Sequence, residues 1–269
     1  MMVEFGRGRC IIALLPPMKL RLLLLLAFVT VIGVRAAEPP PAGRPPVLVS
    51  VHGAWAGGWQ FKKVATLLEA RGWQVYRPSM SGLGEHFNTA RTDIGLDTHI
   101  DDIVNFILFE DLRDVVLLGH SYGGMIITGV ADRIPERIGR LVYLDAFVPE
   151  NGESVMSIRK AGAAEIEKMA KDGFIIPGWV KPDKPFPKDV PHPMKTFTDP
   201  LVLKNPAAAK VPATYILTVE KGQKPEQDGF HASAERARAR GWPVVIMEAN
   251  HVPMWYVPEA TAELLDGFR

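Results

Sequence analysis

A chain of 269 residues, 47% hydrophobic and 23% charged, has ordinary globular composition and is long enough for one large domain carrying an insertion. With 31 basic against 30 acidic residues, a net charge of +1 gives no electrostatic case for nucleic acid or an anionic membrane surface as partner. The one cysteine, Cys10, excludes an intrachain disulfide and leaves no cysteine-based zinc site or cysteine nucleophile.

The first 36 residues do not read as part of a folded domain. Met18-Lys19-Leu20-Arg21 is a basic start, residues 22–34 are almost wholly apolar, and Val34-Arg35-Ala36 is a small-residue cleavage pattern, the layout of a secretory signal peptide. The apolar run is short against the ~20 residues of a spanning helix. The expectation is cleavage after Ala36 and an exported (periplasmic or secreted) protein with no stable membrane association; a membrane anchor is the alternative. Translation could begin at Met1, Met2 or Met18. Residues 37–46, with five prolines, read as a linker.

From there strands and helices alternate. Val47-Leu48-Val49-Ser50-Val51 is the first strand, ending in His52-Gly53-Ala54-Trp55-Ala56-Gly57-Gly58-Trp59. A helix follows over residues 61–71, with Val64, Leu67 and Leu68 on one face and Gly72 at its end. Gln74-Val75-Tyr76 is a second strand, and residues 79–97 form a Gly-rich polar loop. Thr98 reads as the cap of a helix reaching Phe109, with Asp101 and Asp102 in its first turn. Val115-Val116-Leu117-Leu118, apolar throughout, predicts a strand buried on both faces, and the run after Gly124 predicts a buried helix. Residues 140–145 give a fourth strand.

After Pro149 the composition changes. Residues 153–172 read as one helix, and residues 177–193 hold six prolines, which no regular element survives. Residues 150–205 are therefore a candidate cap between core segments 47–149 and 206–269. Strands at 214–220 and 244–247 and helices at 230–240 and 258–268 complete the chain. Near-continuous apolar strands alternating with helices predict an α/β fold: a mostly parallel sheet with helices on both faces.

The chemistry is expected where the strands end. Gly119-His120-Ser121-Tyr122-Gly123, between strand and helix, is G-x-S-x-G in the setting of a nucleophile elbow. A serine on so tight a turn needs neighbours without bulk, and it leaves the Tyr122 amide at a helix N-terminus, aimed at the same space. Ser121 is the candidate nucleophile. It needs a base, and His251, just after the last strand, has the right place in the order serine, acid, histidine. His52 and His120 sit inside motifs and read as braces for backbone, with His192 and His231 as further candidates. For the acid, Glu220 ends the strand before the last and is preferred; Asp145, ending an earlier strand, and Asp228, on the loop beyond Glu220, are the alternatives. The amides of Ala54 and Tyr122 are the expected oxyanion donors. No G-x-G-x-x-G follows a strand, and neither H-E-x-x-H nor a P-loop occurs, so no cofactor or metal is implied.

These stretches resemble the α/β-hydrolases. Within them the chain is similar to the branch of plant methylesterases, hydroxynitrile lyases and bacterial esterases, some of which hydrolyse pyrethroid-type esters. The likeness rests on His52-Gly53-Ala54-Trp55 with Gly57-Gly58-Trp59, Ser81-Gly82-Leu83-Gly84-Glu85, Leu96-Asp97-Thr98-His99-Ile100, Gly119 to Gly124, Leu144-Asp145-Ala146-Phe147-Val148-Pro149, and the segment from Tyr215 to Gly222. It implies a core of about six parallel strands, without the two antiparallel strands that begin larger members. The family's acid follows the penultimate strand and is usually aspartate; matching Thr218 and Lys221-Gly222 puts Glu220 there. The lyases carry a threonine after the first-strand histidine and a lysine after the catalytic histidine, where this chain has Gly53 and Val252.

The resemblance thus favours ester hydrolysis, and with the leader the chain reads as an exported serine carboxylesterase acting on small to medium apolar or aryl esters through an acyl-enzyme. Trp55, Phe147, Trp179, Phe197, Met254 and Trp255 are candidates to line its pocket. The rivals are a hydroxynitrile lyase or carbon–carbon hydrolase of the same fold, and a non-catalytic small-molecule binder.

Overall fold

The computed structural model describes residues 43–269. The expected leader and most of the linker lie outside the described residues.

Six strands form the main sheet: β1 (Val47–Val51), β2 (Gln74–Tyr76), β3 (Val115–His120), β4 (Ile138–Leu144), β8 (Ala213–Val219) and β9 (Val244–Glu248), in the order β2-β1-β3-β4-β8-β9. Every neighbouring pair is parallel. Every residue of β3 and β8 is buried, because apolar side chains on both faces of a pleated strand require cover on both sides. The alternation divides the core in two. Val49, Val115 and Leu117 face one cluster, with Ile100 and Ile103 of α2 (Leu96–Phe109), Met125 and Ile126 of α3 (Gly123–Arg133), and Ala234 of α7 (His231–Ala239). Leu48, Val116 and Leu118 face the other, with Val64 and Leu68 of α1 (Lys62–Glu69) and Leu265 of α9 (Pro258–Asp266).

Residues between β4 and β8 depart from the single helix expected over 153–172. They form α4 (Val155–Ile158), α5 (Ala163–Lys168), three short antiparallel strands β5 (Ala170–Lys171), β6 (Phe174–Ile175) and β7 (His192–Pro193), and α6 (Lys195–Thr198). The helix is interrupted at Arg159, whose φ of −87° and ψ of 36° leave helical geometry, and a tight hairpin ends its second half. Lys171 pairs with Phe174 across Asp172-Gly173, whose φ angles are 51° and 81°. Asp-Gly is the dipeptide that tolerates two left-handed residues in a hairpin turn.

This insert also explains why α2 begins before Thr98. Asp199 accepts from the Leu96 amide at 3.2 Å, while Thr98 Oγ1 accepts from the Gly95 amide at 3.4 Å. A side chain distant in sequence thus supplies the cap expected of Thr98. A second tie joins insert to core, where Arg236 of α7 donates from Nη2 to Glu153 at 2.8 Å.

Register brings the functional loops together. Val51 pairs with Gly119, His120 with Leu144, and Leu144 with Ile216. The segments after β1, β3 and β4 therefore leave the sheet side by side.

Candidate active site

The turn from β3 into α3 is built by exclusion of bulk. A Cβ on Gly119 would stand 2.6 Å from the Gly123 carbonyl oxygen, and one on Gly123 would stand 2.7 Å from that of Val51. Between them Ser121 takes φ 55°, in the left-handed region that a non-glycine residue adopts only when its surroundings compel it. Its amide donates to Leu144 at 3.3 Å, and its carbonyl accepts from Gly124 and Phe147 at 3.1 Å each.

His251 arrives on the loop after β9. His120 draws that loop back across the sheet, its Nε2 standing 2.6 Å from the His251 carbonyl oxygen. That carbonyl can only accept, so His120 donates from Nε2. The imidazole of His251 lies parallel to the Phe230 ring, with centroids 5.0 Å apart. Its Nδ1 is 2.6 Å from Asp145 Oδ2, which leaves Nε2 as the free ring nitrogen. Among the described residues, no hydrogen bond joins Ser121 Oγ to His251; in such sites that contact often closes only with substrate bound.

Asp145, fully buried at the end of β4, has both carboxylate oxygens engaged: Oδ2 with His251, and Oδ1 with the Thr218 amide at 3.2 Å. Its φ is 44° and its amide donates to Ile216 at 2.7 Å. The Tyr215 hydroxyl clamps the next residue, donating to the Ala146 carbonyl at 2.9 Å and accepting from the Ala146 amide at 3.1 Å.

The structure therefore corrects the expected pairing of Glu220 with His251. Glu220 is exposed and lies in a shallow polar groove with Lys221, Glu248 and Asn250. Register explains the difference. Leu144 pairs with Ile216, so β8 runs on to Val219, about 10 Å past the level where β4 stops. His120 pulls His251 back toward β3, over the end of β4 rather than the end of β8. Asp228 does not bond the imidazole either; its Oδ1 accepts from the Phe230 amide at 2.7 Å. Burial, then the Asp145 charge, pushes the Asp228 carboxyl above its ordinary pKa against the opposing pull of that amide.

Beside Ser121 the loop after β1 comes very close: a Cβ on Gly53 would meet Ser121 Cβ at 3.2 Å and His120 Nδ1 at 2.9 Å. Among the described residues, neither the Ala54 nor the Tyr122 amide donates to a protein acceptor. Two free donors thus flank the serine, as an oxyanion requires. The histidines around them are neutral: burial lowers His52 and His99 to about 4 and takes His120 well below its ordinary value.

The expected pocket residues divide. Trp55 packs edge-on against Trp179 at 5.4 Å and tilts onto Phe197 at 5.9 Å, and Phe197 stacks on Tyr122. Phe147 bonds the elbow through its backbone and meets Phe230 at 5.1 Å. Phe147 thus adjoins the serine directly, while Trp55, Trp179 and Phe197 form an aromatic cluster that reaches the elbow through Tyr122. Met254 is fully buried in the core cluster on the opposite face of the sheet. Trp255 packs on Trp59 at 5.3 Å with Lys63 over its ring, so its partners lie around α1 rather than around Ser121. Both residues lie in α8 (Pro253–Tyr256), the short helix after the His251 loop. Sequence reasoning did not find Phe230 as the stacking partner of His251; nothing in its local pattern marks it. His120 was read as a backbone brace, and the backbone it braces is that of His251.

A family model described as the alpha/beta hydrolase family matches residues 47–264. The carbendazim hydrolyzing esterase of Nocardioides sp. (strain SG-4G) is 37% identical over 243 residues, covering 81% of this chain and 97% of that protein. Methylesterase 1 of Arabidopsis thaliana is 34% identical over 108 residues, 39% of this chain and 41% of its own. Among solved structures, an extracellular α/β-hydrolase from a Paenibacillus species aligns with a TM-score of 0.70 at 24% identity, covering 82% of this chain and 98% of that one. The pyrethroid hydrolase PytH aligns at 0.60 and 18% identity, covering 83% and 97%. At these identities the two structures bear on the fold alone.

Proposed function

The chain belongs to the α/β-hydrolase family, and on that premise we propose that it is a serine carboxylesterase with Ser121, His251 and Asp145 as its triad. The observation that carries this reading is the 2.6 Å contact between His251 Nδ1 and the buried Asp145, beside an elbow that holds Ser121 at φ 55°.

The geometry supports the following reaction. Asp145 holds the proton on Nδ1 and stabilises the imidazolium, so Nε2 is the base. Ser121 Oγ attacks the ester carbonyl as Nε2 takes its proton. The carbonyl oxygen becomes an oxyanion and accepts from the Ala54 and Tyr122 amides, worth on the order of 3 kcal/mol for each donor in such sites. The tetrahedral intermediate collapses, the carbon–oxygen bond to the alcohol breaks, and the imidazolium returns its proton to that alcohol. Water, deprotonated by His251, then attacks the acyl-enzyme. A second collapse releases the acid and restores Ser121.

Two features support small to medium apolar or aryl esters as substrates. Phe147 adjoins Ser121, the cluster of Trp55, Trp179 and Phe197 meets Tyr122, and the relative aligned over most of both chains carries esterase in its name. Residues 150–205 are proposed as a cap over this pocket. Residues 18–36 are proposed as a cleaved leader; mass spectrometry of the exported protein should find a first residue near Ala37, and an intact leader would favour the anchor instead.

The test of the activity is a panel of p-nitrophenyl esters, aryl methyl esters and carbendazim, run on wild type and Ser121→Ala. The variant should stay folded and lose roughly 10⁴- to 10⁶-fold in kcat, with labelling by a fluorophosphonate abolished. Near-normal turnover by folded Ser121→Ala protein would overturn the assignment.

A further inference from the structure

The residue after the proposed oxyanion donor Ala54 is under strain. Trp55 has φ 64°, a conformation costly for a bulky side chain. Three hydrogen bonds hold it, all to the insert. Its carbonyl accepts from the Val190 amide at 2.8 Å, its indole donates to the Ile175 carbonyl at 3.1 Å, and its amide donates to His192 Nδ1 at 3.2 Å. His192 is fully buried and is itself placed by pairing with Ile175 in the small sheet.

We propose that His192 is the positioning residue of the oxyanion hole, holding the Ala54–Trp55 turn so that the Ala54 amide faces the tetrahedral intermediate; this deepens, and rests on, the serine-hydrolase reading. The hydrogen-bond direction is determined at every step. An amide can only donate, so His192 Nδ1 accepts and its proton resides on Nε2. Nε2 then donates to Thr196 Oγ1 at 2.7 Å, and Thr196 donates to the Pro193 carbonyl at 2.8 Å. Protonation of the ring would set an N–H against the Trp55 N–H. Burial, with His99 and His52 nearby, keeps the imidazole neutral by taking its pKa well below the ordinary value.

The same ring touches the other donor residue. His192 packs edge-on against Tyr122 with centroids 5.0 Å apart, and the Tyr122 hydroxyl meets His99 Nδ1 at 3.1 Å. Both residues that present an oxyanion amide, or adjoin one, therefore lean on one imidazole delivered by the insert. Binding and catalysis become coupled, since a displaced insert would release the turn.

The test separates the two ring nitrogens. In His192→Asn, the side-chain oxygen falls near Nδ1 and can still accept from Trp55. In His192→Gln, the amide reaches the Nε2 position and keeps the Thr196 contact but leaves the Trp55 amide without its acceptor. Steady-state kinetics on the best p-nitrophenyl ester should show kcat falling about 10- to 100-fold in His192→Gln, near the lower end of what loss of an oxyanion donor costs, with KM little changed and His192→Asn largely active. An arylboronic acid, whose serine adduct is tetrahedral, should lose affinity for His192→Gln in proportion to kcat. A purely structural role would instead lower both melting temperatures and leave kcat of the folded fraction intact. Wild-type kcat in His192→Gln, or losses in both variants that track melting temperature, overturn the proposal. Should either variant fail to fold, Thr196→Val keeps the ring and removes the acceptor that holds its Nε2–H in place; kcat should fall at constant KM, and an unchanged kcat overturns the proposal. A wild-type protein inert to every ester and to the fluorophosphonate would bring down the hydrolase reading itself, and this proposal with it.

Discussion

The elbow around Ser121 and the carboxylate side of the site follow opposite logics. The elbow is compact in sequence: Gly119 and Gly123 lie four residues apart, each excluded from bulk by backbone less than 3 Å from where a Cβ would stand, that of Gly123 for Gly119 and that of Val51 for Gly123. The carboxylate side is assembled from parts far apart in the chain: Asp145 ends β4, His251 follows β9, and Thr218 and Tyr215 lie on β8. Demands for small residues that fall within five positions leave a readable motif. A hydrogen bond between residues 106 apart in sequence leaves none.

The comparison is tested most severely at the acid. Asp145→Asn keeps the shape but favours the wrong imidazole tautomer, and kcat should fall by up to about 10⁴-fold, as it does when a serine protease triad is altered this way. Glu220→Gln, its paired control, should leave kcat near wild type. The reverse result, with both variants folded by circular dichroism, would restore the carboxylate after β8 as the acid.

The elbow should respond in stability as well as rate. Gly123→Ala would push a methyl group to within 2.7 Å of the Val51 carbonyl and 3.1 Å of the His52 carbonyl. Both are backbone, which cannot rotate away, so a cost of about 1–3 kcal/mol is expected from urea unfolding. A midpoint equal to wild type would mean that the turn has more slack than its contacts indicate.

The most distributed effect belongs to the buried histidines. His52 and His99 titrate at about 4 in the folded chain, and His120 and His192 lie well below their ordinary value, in each case chiefly through burial. Between pH 6.5 and about 4 the unfolded chain takes up protons that the folded chain refuses. The stabilisation is therefore complete above pH 6.5 and is lost as the pH falls, by at most about 1.4 kcal/mol per pH unit for each histidine. Urea midpoints should decline from pH 7 to pH 5. A flat profile would show that these rings are protonated without cost.

The strands, their order of appearance and the parallel sheet were legible in the sequence, because each is a short apolar run whose burial on both faces shows in composition. Ser121, His251, Ala54 and Tyr122 were legible as candidates for the same reason of locality: each sits at a strand end or a glycine turn. The insert was legible as a break in composition but not in form, since the chain leaves helical geometry at Arg159, inside the stretch read as one helix. Only the tertiary structure paired His251 with Asp145, turned Met254 and Trp255 away from Ser121, and laid Phe230 under the imidazole. Those outcomes depend on how far β8 overruns β4 and on where His120 anchors the last loop. Both are relations between strands, set by register and packing across the sheet, and no window of neighbouring residues contains them.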